Sequence, residues 1–349
     1  MKVQGIPRRT IGWSADQSAV EFIDQTALPG RFCLVRATSV DAIALAISSM
    51  QVRGAPLIGV AAVHGLALAA RADPSNAALA LAAQRLVQTR PTAINLRWAI
   101  EWAQSRLLPS PESGRARRAF ELSVELADLE CAIARKIGEH GVKLVEAARR
   151  PDRPVQILTH CNAGWLATVD WGTAIAPVYL AQQQGIPVHV WVSETRPRNQ
   201  GLLTAWELRE QLIPHTVLVD NAAGLLLQRG EIDLVIVGTD RTSAQGDVCN
   251  KIGTYLKALA ARAHHVPFYA AVPSSSIDWK LGDGVKGTPI EQRDASEVRA
   301  LGQLPLESAV SNYGFDVTPA ELVTGLITER GVCPASRAGL AALFPDHAT

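Results

Sequence analysis

The chain has 349 residues, enough for two domains at roughly 100–200 residues each. Hydrophobic residues make up 48% and charged residues 19%, so a large core is expected and a disordered chain is excluded. A net charge of +1 supplies no basic field, which argues against a nucleic-acid partner.

Five cysteines at 33, 131, 161, 249 and 333, without a CxxC pair, argue against a disulfide framework or structural zinc site and fit a reducing cytosol. The N-terminus lacks an apolar segment of signal-peptide length. No run of about 18 uncharged apolar residues is apparent, and the apolar stretch 60–70 reads as a buried helix. A soluble cytoplasmic protein without membrane contact is expected.

In chain order, 31–36 reads as a strand and 39–50 as a helix with Ser39 or Asp41 as N-cap. The stretch Val52-Arg-Gly-Ala-Pro-Leu-Ile-Gly59 precedes an Ala-rich helix ending near Arg71. Gly54 and Pro56 punctuate the chain just before that helix. Free amides there, with Arg53 beside them, fit an anion site or an ordinary loop-to-helix turn with a surface arginine. Residues 76–109 read as two helices broken at Arg90-Pro91-Thr92. Arg90 suits a bidentate phosphate contact or a solvated helix end. Residues 109–117 read as an exposed connection, and 118–148 as a long helix on the spacing of Leu122, Leu126, Leu129, Ile133 and Ile137. The domain boundary is expected near this helix, giving domains 1–125 and 126–349.

From 155 the pattern becomes strand–helix alternation. Strands are expected at 155–158, 188–192, 216–219, 234–237 and 268–272, with helices at about 172–184, 202–212, 221–229 and 250–264. This predicts an α/β chain: a C-terminal Rossmann-like parallel sheet domain with a smaller, mainly helical α+β N-terminal domain. After the first of these strands, Gly164 and Gly172 do not make GxGxxG, and GxxxxGK[ST] is absent from the chain, so a dinucleotide site is not expected. Residues 282–296 read as a loop over the sheet and 335–349 as a loosely held tail.

Parallel strands point their carboxyl ends to one edge, where open α/β sheets hold ligands. Cys161, Glu194, Gln200, Asp240, Asn250 and Lys251 follow such ends and should converge, although each alone also has an ordinary structural reading. Asn250 and Lys251, read as opening a helix, fit a phosphate grip. Cys161 and Asp240 offer a base and an acid. No cluster of His, Asp and Glu has metal-ligand spacing, so no metal or cofactor is expected.

These stretches carry a resemblance. Val52-Arg-Gly-Ala-Pro-Leu-Ile-Gly59, Arg90-Pro-Thr-Ala-Ile-Asn-Leu96, Leu158-Thr-His-Cys-Asn-Ala-Gly164, Glu194-Thr-Arg-Pro-Arg198 with Gln200-Gly201, Gly238-Thr-Asp-Arg241, Gly246-Asp-Val-Cys-Asn-Lys-Ile-Gly-Thr254 and Phe315-Asp-Val-Thr-Pro-Ala-Glu321 resemble the methylthioribose-1-phosphate isomerase family of methionine salvage. That family is related to the regulatory subunits of translation initiation factor 2B. The resemblance implies aldose–ketose isomerisation of a sugar 1-phosphate by a homodimer, with Cys161 and Asp240 catalytic. It also implies substrate contacts from Arg53, Gly54, Ala55, Arg90, Gln200, Asn250 and Lys251. Relatives acting on 5-deoxyribose 1-phosphate or ribose 1,5-bisphosphate, or a non-catalytic regulatory subunit, are the alternatives. Thr239 and Cys249 depart from the family pattern, and Trp165 and Trp171 add bulk near the catalytic loop, where they bear on the pocket for the C5 substituent.

Overall fold

The computed structural model describes residues 1–91, 93–300, 302, 304–305 and 307–347. Thr92 of the 90–96 stretch and the last two residues of the 335–349 segment lie outside them. The chain is α/β and forms two compact units. The first comprises Met1–Arg135 with Gly164–Gly172, and the second Lys136–Ala163 with Thr173–Thr349. The sequence reading drew one boundary, at 125/126. By contact, the chain passes between units within the Glu112–Ala147 helix, again three residues after Cys161, and once more after Gly172.

The first unit is built around the Ala55–Ala72 helix, in which every residue from Pro56 to Ala70 is buried. It packs against the helices Val40–Ser48, Asn76–Gln88 and Ile94–Leu107. Small residues permit that approach: a Cβ on Gly59 would lie 3.0 Å from the Ala99 methyl. The helix is longer than the apolar run suggests, and its mean hydropathy of 1.5 over 18 residues meets the composition of a membrane span. Its enclosure by the other helices accounts for that composition, since a helix apolar all round needs cover on every face. Ser39 caps the Val40–Ser48 helix by accepting from the Ala42 amide, as expected. A three-stranded antiparallel sheet, Ile11–Trp13, Val20–Ile23 and Leu34–Ala37, completes the unit. The expected strand at 31–36 is thus shifted to Leu34–Ala37, where Val20–Ile23 supplies the pairing. The long helix starts at Glu112, inside the segment read as an exposed connection.

The second unit holds a seven-stranded sheet in the order Gly331–Cys333, Gly325–Thr328, Phe268–Ala271, Leu234–Val237, Val155–Thr159, Val188–Ser193, His215–Leu218. All neighbours run parallel except Gly331–Cys333, which turns back on Gly325–Thr328. The helices Ala176–Gln183, Gly201–Glu210, Ala222–Gln228 and Thr254–Ala263 connect strands. Leu234–Val237 is buried at all four positions, the pattern of a strand covered on both faces. The six parallel strands follow the doubly wound order, with two strands on one side of the starting strand Val155–Thr159 and three on the other.

Three expectations are corrected here. Asn250 and Lys251 do not open a helix; they end the Val248–Lys251 strand, opposite Asp316 and Phe315. The helix starts at Thr254, after Gly253 at φ +97°, a left-handed conformation that glycine adopts without strain. The strand belongs to a second sheet, ordered Ile277–Asp278, Arg241–Ser243, Val248–Lys251, Phe315–Thr318. The 282–296 segment includes a short helix, Gly284–Gly287, capped by Asp283. The tail is not loose: Ser336 caps an Arg337–Leu343 helix, and Leu340 and Phe344 are 0% and 1% exposed in the core of the second unit.

That burial gives a direct check. Phe344 lies 5.6 Å from Trp279, centroid to centroid, so Phe344→Ala should cost about 3–5 kcal/mol in chemical denaturation. Leu212→Ala, at a side chain 86% exposed, should stay within about 0.5 kcal/mol.

Candidate active site

Val155–Thr159 is the sheet's starting strand, and the chain first builds outward from it through Val188–Ser193 to His215–Leu218. It then returns to pair Leu234–Val237 on the opposite side. The two connections diverge at the carboxyl ends of Val155–Thr159 and Leu234–Val237, and such a switch point is where a doubly wound sheet opens a crevice. Cys161 follows the first strand by two residues and Asp240 follows the second by three. The loops abut, because a Cβ on Gly238 would sit 2.7 Å from that of Ala163.

Cys161 has φ +66°, a left-handed backbone uncommon outside glycine. Its amide donates to Thr195 Oγ1 at 2.9 Å, and its carbonyl accepts from Thr204 Oγ1 at 2.8 Å. Thr204 stands on the helix that Gln200 leads into, and Gln200 itself is buried. The next residue, Asn162, donates to Thr204 Oγ1 and to Glu207 Oε1, each at 3.1 Å, while the Tyr179 hydroxyl meets Glu207 Oε2 at 3.1 Å.

The Asp240 amide donates to the Cys249 carbonyl at 2.9 Å, and the Thr239 hydroxyl donates to the same carbonyl at 3.2 Å. Asn250 thus lies one residue beyond Asp240's partner, with its Nδ2 on Thr254 Oγ1 at 3.0 Å. Lys251 Nζ donates to the Gly314 carbonyl at 2.9 Å and lies 4.5 Å from the Phe315 ring centroid. Its grip is therefore that of a buried strand lysine, not a helix-end one. His160 Nε2 lies 2.8 Å from the Ile252 carbonyl. A carbonyl only accepts, so that nitrogen carries the hydrogen. Cys161, Gln200, Asp240, Asn250 and Lys251 therefore gather at one edge of the second unit.

Arg53, Gly54, Ala55 and Arg90 belong to the first unit. Gly54 precedes the Ala55–Ala72 helix at φ +100°, and no side chain caps that helix. A Cβ on Gly54 would fall 2.4 Å from the Ala167 carbonyl oxygen, so only glycine fits. Arg90 Nη1 contacts the Met50 thioether. Trp165 is fully buried and Trp171 half-exposed, with Arg135 5.8 Å from the Trp171 ring centroid.

Several titratable groups near Cys161 carry no role in the sequence reading. Burial and the charge of Lys257 push His160 down to about 3. Burial also lowers the Lys257 amine to about 8, against the attraction of Asp220 and Asp316. Burial raises Asp316 to about 6, although the Gly253 and Tyr255 amides donate to it. Burial works against ionisation of Asp220, yet bonds from Ser193, Arg196 and Thr195 hold it below the usual carboxylate value. Lys257 lies inside a helix with no local pattern that marks it, and Asp316 lies inside a strand, within the 315–321 stretch quoted for the resemblance but with no role assigned to it there. Cys131, Cys249 and Cys333 are raised by burial to about 12, 12 and 11 and stay thiols.

The depressed His160 value sets an acid response. Between about 3 and the ordinary 6.5, the unfolded chain binds a proton that the folded chain does not, so stability rises with pH across that window and falls on acidification. Buried His64 in the first unit, lowered to about 4, acts in the same direction. The thermal midpoint should drop between pH 6.5 and 4.5, and His160→Gln should make the drop shallower. An unchanged slope in that variant would count against the assignment.

A model described as the initiation factor 2 subunit family matches residues 51–335. A methylthioribose-1-phosphate isomerase of Methylorubrum extorquens is 57% identical over 99% of both chains. The solved 5-methylthioribose 1-phosphate isomerase of Pyrococcus horikoshii superposes with a TM-score of 0.87 at 37% identity, over 97% of this chain and 96% of that one. The translation initiation factor eIF-2B subunit delta of A. fulgidus gives 0.84 at 39% identity, over 97% and 100%. By these full-length matches the chain belongs to the initiation factor 2 subunit family and, within it, to the methylthioribose-1-phosphate isomerases.

Proposed function

We propose that the chain interconverts 5-methylthioribose 1-phosphate and 5-methylthioribulose 1-phosphate in methionine salvage, with Cys161 and Asp240 as the reacting groups. The carrying observation is the emergence of these two residues from adjacent parallel strands at the switch point of the sheet. In the substrate the anomeric carbon is phosphorylated, so no free aldehyde can enolise and the ring must open first. Asp240, in its protonated form, delivers a proton to the ring oxygen as the bond to C1 breaks. A hydrogen then passes from C2 to C1 while the C2 hydroxyl becomes the carbonyl, with no net change in oxidation state. Two routes satisfy that balance. In one, the Cys161 thiolate takes the C2 proton and a proton returns to C1; in the other, the hydrogen moves as hydride and Cys161 steadies the transition state.

Arg53, Gly54, Ala55, Arg90, Gln200, Asn250 and Lys251 are proposed as substrate contacts, the cations toward the phosphate, where orientation contributes a large share of the rate. An apolar C5 substituent is favoured over a second phosphate. Of the three arginines in the strand-end loops of the second unit, Arg198 is paired to Glu297 at 2.9 Å and Arg241 to Asp278 at 3.5 Å, so two already face carboxylates. Trp165, being buried, supplies no open wall, and that part of the expectation is withdrawn. A homodimer in a reducing cytosol completes the proposal, in keeping with five free cysteines.

Purified protein should turn over methylthioribose 1-phosphate with a higher kcat/KM than 5-deoxyribose 1-phosphate or ribose 1,5-bisphosphate. A preference for the bisphosphate would overturn the substrate assignment, and no turnover of any of the three would favour a regulatory subunit. Cys161→Ala and Asp240→Asn should each abolish most turnover while keeping the wild-type melting temperature. Arg53→Ala and Lys251→Ala should each weaken sugar-phosphate binding by about 2–5 kcal/mol in calorimetry. Unchanged affinity in both would put the phosphate elsewhere.

A further inference from the structure

Two residues on adjoining loops of the second unit share an unusual backbone. Cys161 has φ +66° and Thr195 has φ +67°, and for a β-branched threonine a left-handed conformation persists only where its surroundings impose it. Asp220, just beyond the third strand, imposes it. Its Oδ1 accepts the Ser193 hydroxyl and the Thr195 amide, the latter at 2.8 Å, and its Oδ2 accepts the Arg196 amide at 2.8 Å. Three donors within four residues converge on one carboxylate and bend the chain through Thr195. The bend delivers the Thr195 hydroxyl to the Cys161 amide at 2.9 Å, and the hydroxyl's own hydrogen goes to the Ser193 carbonyl at 2.9 Å. Thr204 holds the other face of Cys161 through its carbonyl.

We propose that Asp220 is a positioning residue that acts through Thr195 to set the orientation of Cys161. The inference rests on the isomerase reading above and extends it to groups that do not touch substrate. The carboxylate fixes the turn, the turn fixes the hydroxyl, and the hydroxyl fixes the peptide that carries the thiol. Asp220 also lies 3.8 Å from His160 Nδ1 and near the Lys257 charge, so its replacement alters charge as well as geometry. Thr195→Val separates the two effects, because it removes the hydroxyl and leaves every charge in place.

The test uses the full-length chain and two readouts. Steady-state kinetics with methylthioribose 1-phosphate should show kcat reduced about 10²-fold in Thr195→Val and Asp220→Asn, with KM within about threefold. Thr195→Ser, which keeps the hydroxyl, should recover most of that loss. The rate of iodoacetamide alkylation at Cys161, followed by peptide mass spectrometry against Cys33 in the same sample, should shift by more than about threefold in Thr195→Val. A merely structural role would lower the melting temperature and leave the alkylation ratio and kcat of folded protein near wild type, and that result overturns the proposal. If the wild-type chain does not isomerise the sugar phosphate, the functional reading fails separately, and the alkylation ratio decides the relay alone: a shift upholds it and no shift overturns it.

Discussion

The return of the chain across its own starting strand governs the architecture of the second unit. A parallel sheet buries its strands on both faces, so its interior is mainly apolar and chemistry is presented at and beyond the strand ends. Reversing the direction of winding at Val155–Thr159 separates two of those ends from their covering connections. Gly238 lets the loops close on one another, and Cys161 and Asp240 occupy them. The Val248–Lys251 strand of the smaller sheet lies alongside, held by the bond of the Asp240 amide to the Cys249 carbonyl and, just past the strand, by that of His160 to the Ile252 carbonyl.

Closing that edge places charge where water is scarce. Lys257 and Glu207 are 3% and 0% exposed, and His160 1%. Burying an isolated ion is expensive, and the unit meets the cost with reciprocal arrangements. The Lys257 ammonium lies in the field of Asp220 and Asp316, and two backbone amides donate to Asp316. Glu207 accepts from Asn162 and Tyr179. Histidine contributes by staying neutral, which leaves it a directional donor to Ile252 without a second positive charge beside Lys257.

Much of this was legible from sequence, for identifiable reasons. The Leu234–Val237 strand and the Ala55–Ala72 helix announce themselves because burial on all sides leaves an unbroken apolar run. The gathering of Cys161, Asp240 and Gln200 followed from one rule about where parallel strands end. The four-stranded sheet was missed because strands of two to four residues are too short to display a period. Asn250 and Lys251 precede a genuine helix, and only pairing with Asp316 and Phe315 makes them strand. The terminal helix was hidden behind Pro334 and Ser336, which read as loop residues although Ser336 serves as a cap. The roles of Thr195 and Asp220 lie in hydrogen bonds between loops 25 residues apart, a relation that no local pattern encodes.

The segment Gly164–Gly172 has a consequence for how the protein comes to exist on the ribosome. The first unit does not end with its last N-terminal residue, Arg135; it needs Val169 in its core, the Leu166 carbonyl for Gln25, and Ala167 behind Gly54. At about 5–20 residues per second of synthesis, that missing piece emerges seconds after the rest of the unit. During that interval the nascent N-terminal helices lack part of their core. Because the late piece is the direct continuation of the strand leading to Cys161, the turn at Gly54 acquires its backing only once the Cys161 loop has been made. Maturation of the two halves is thereby tied to a single stretch of nascent chain.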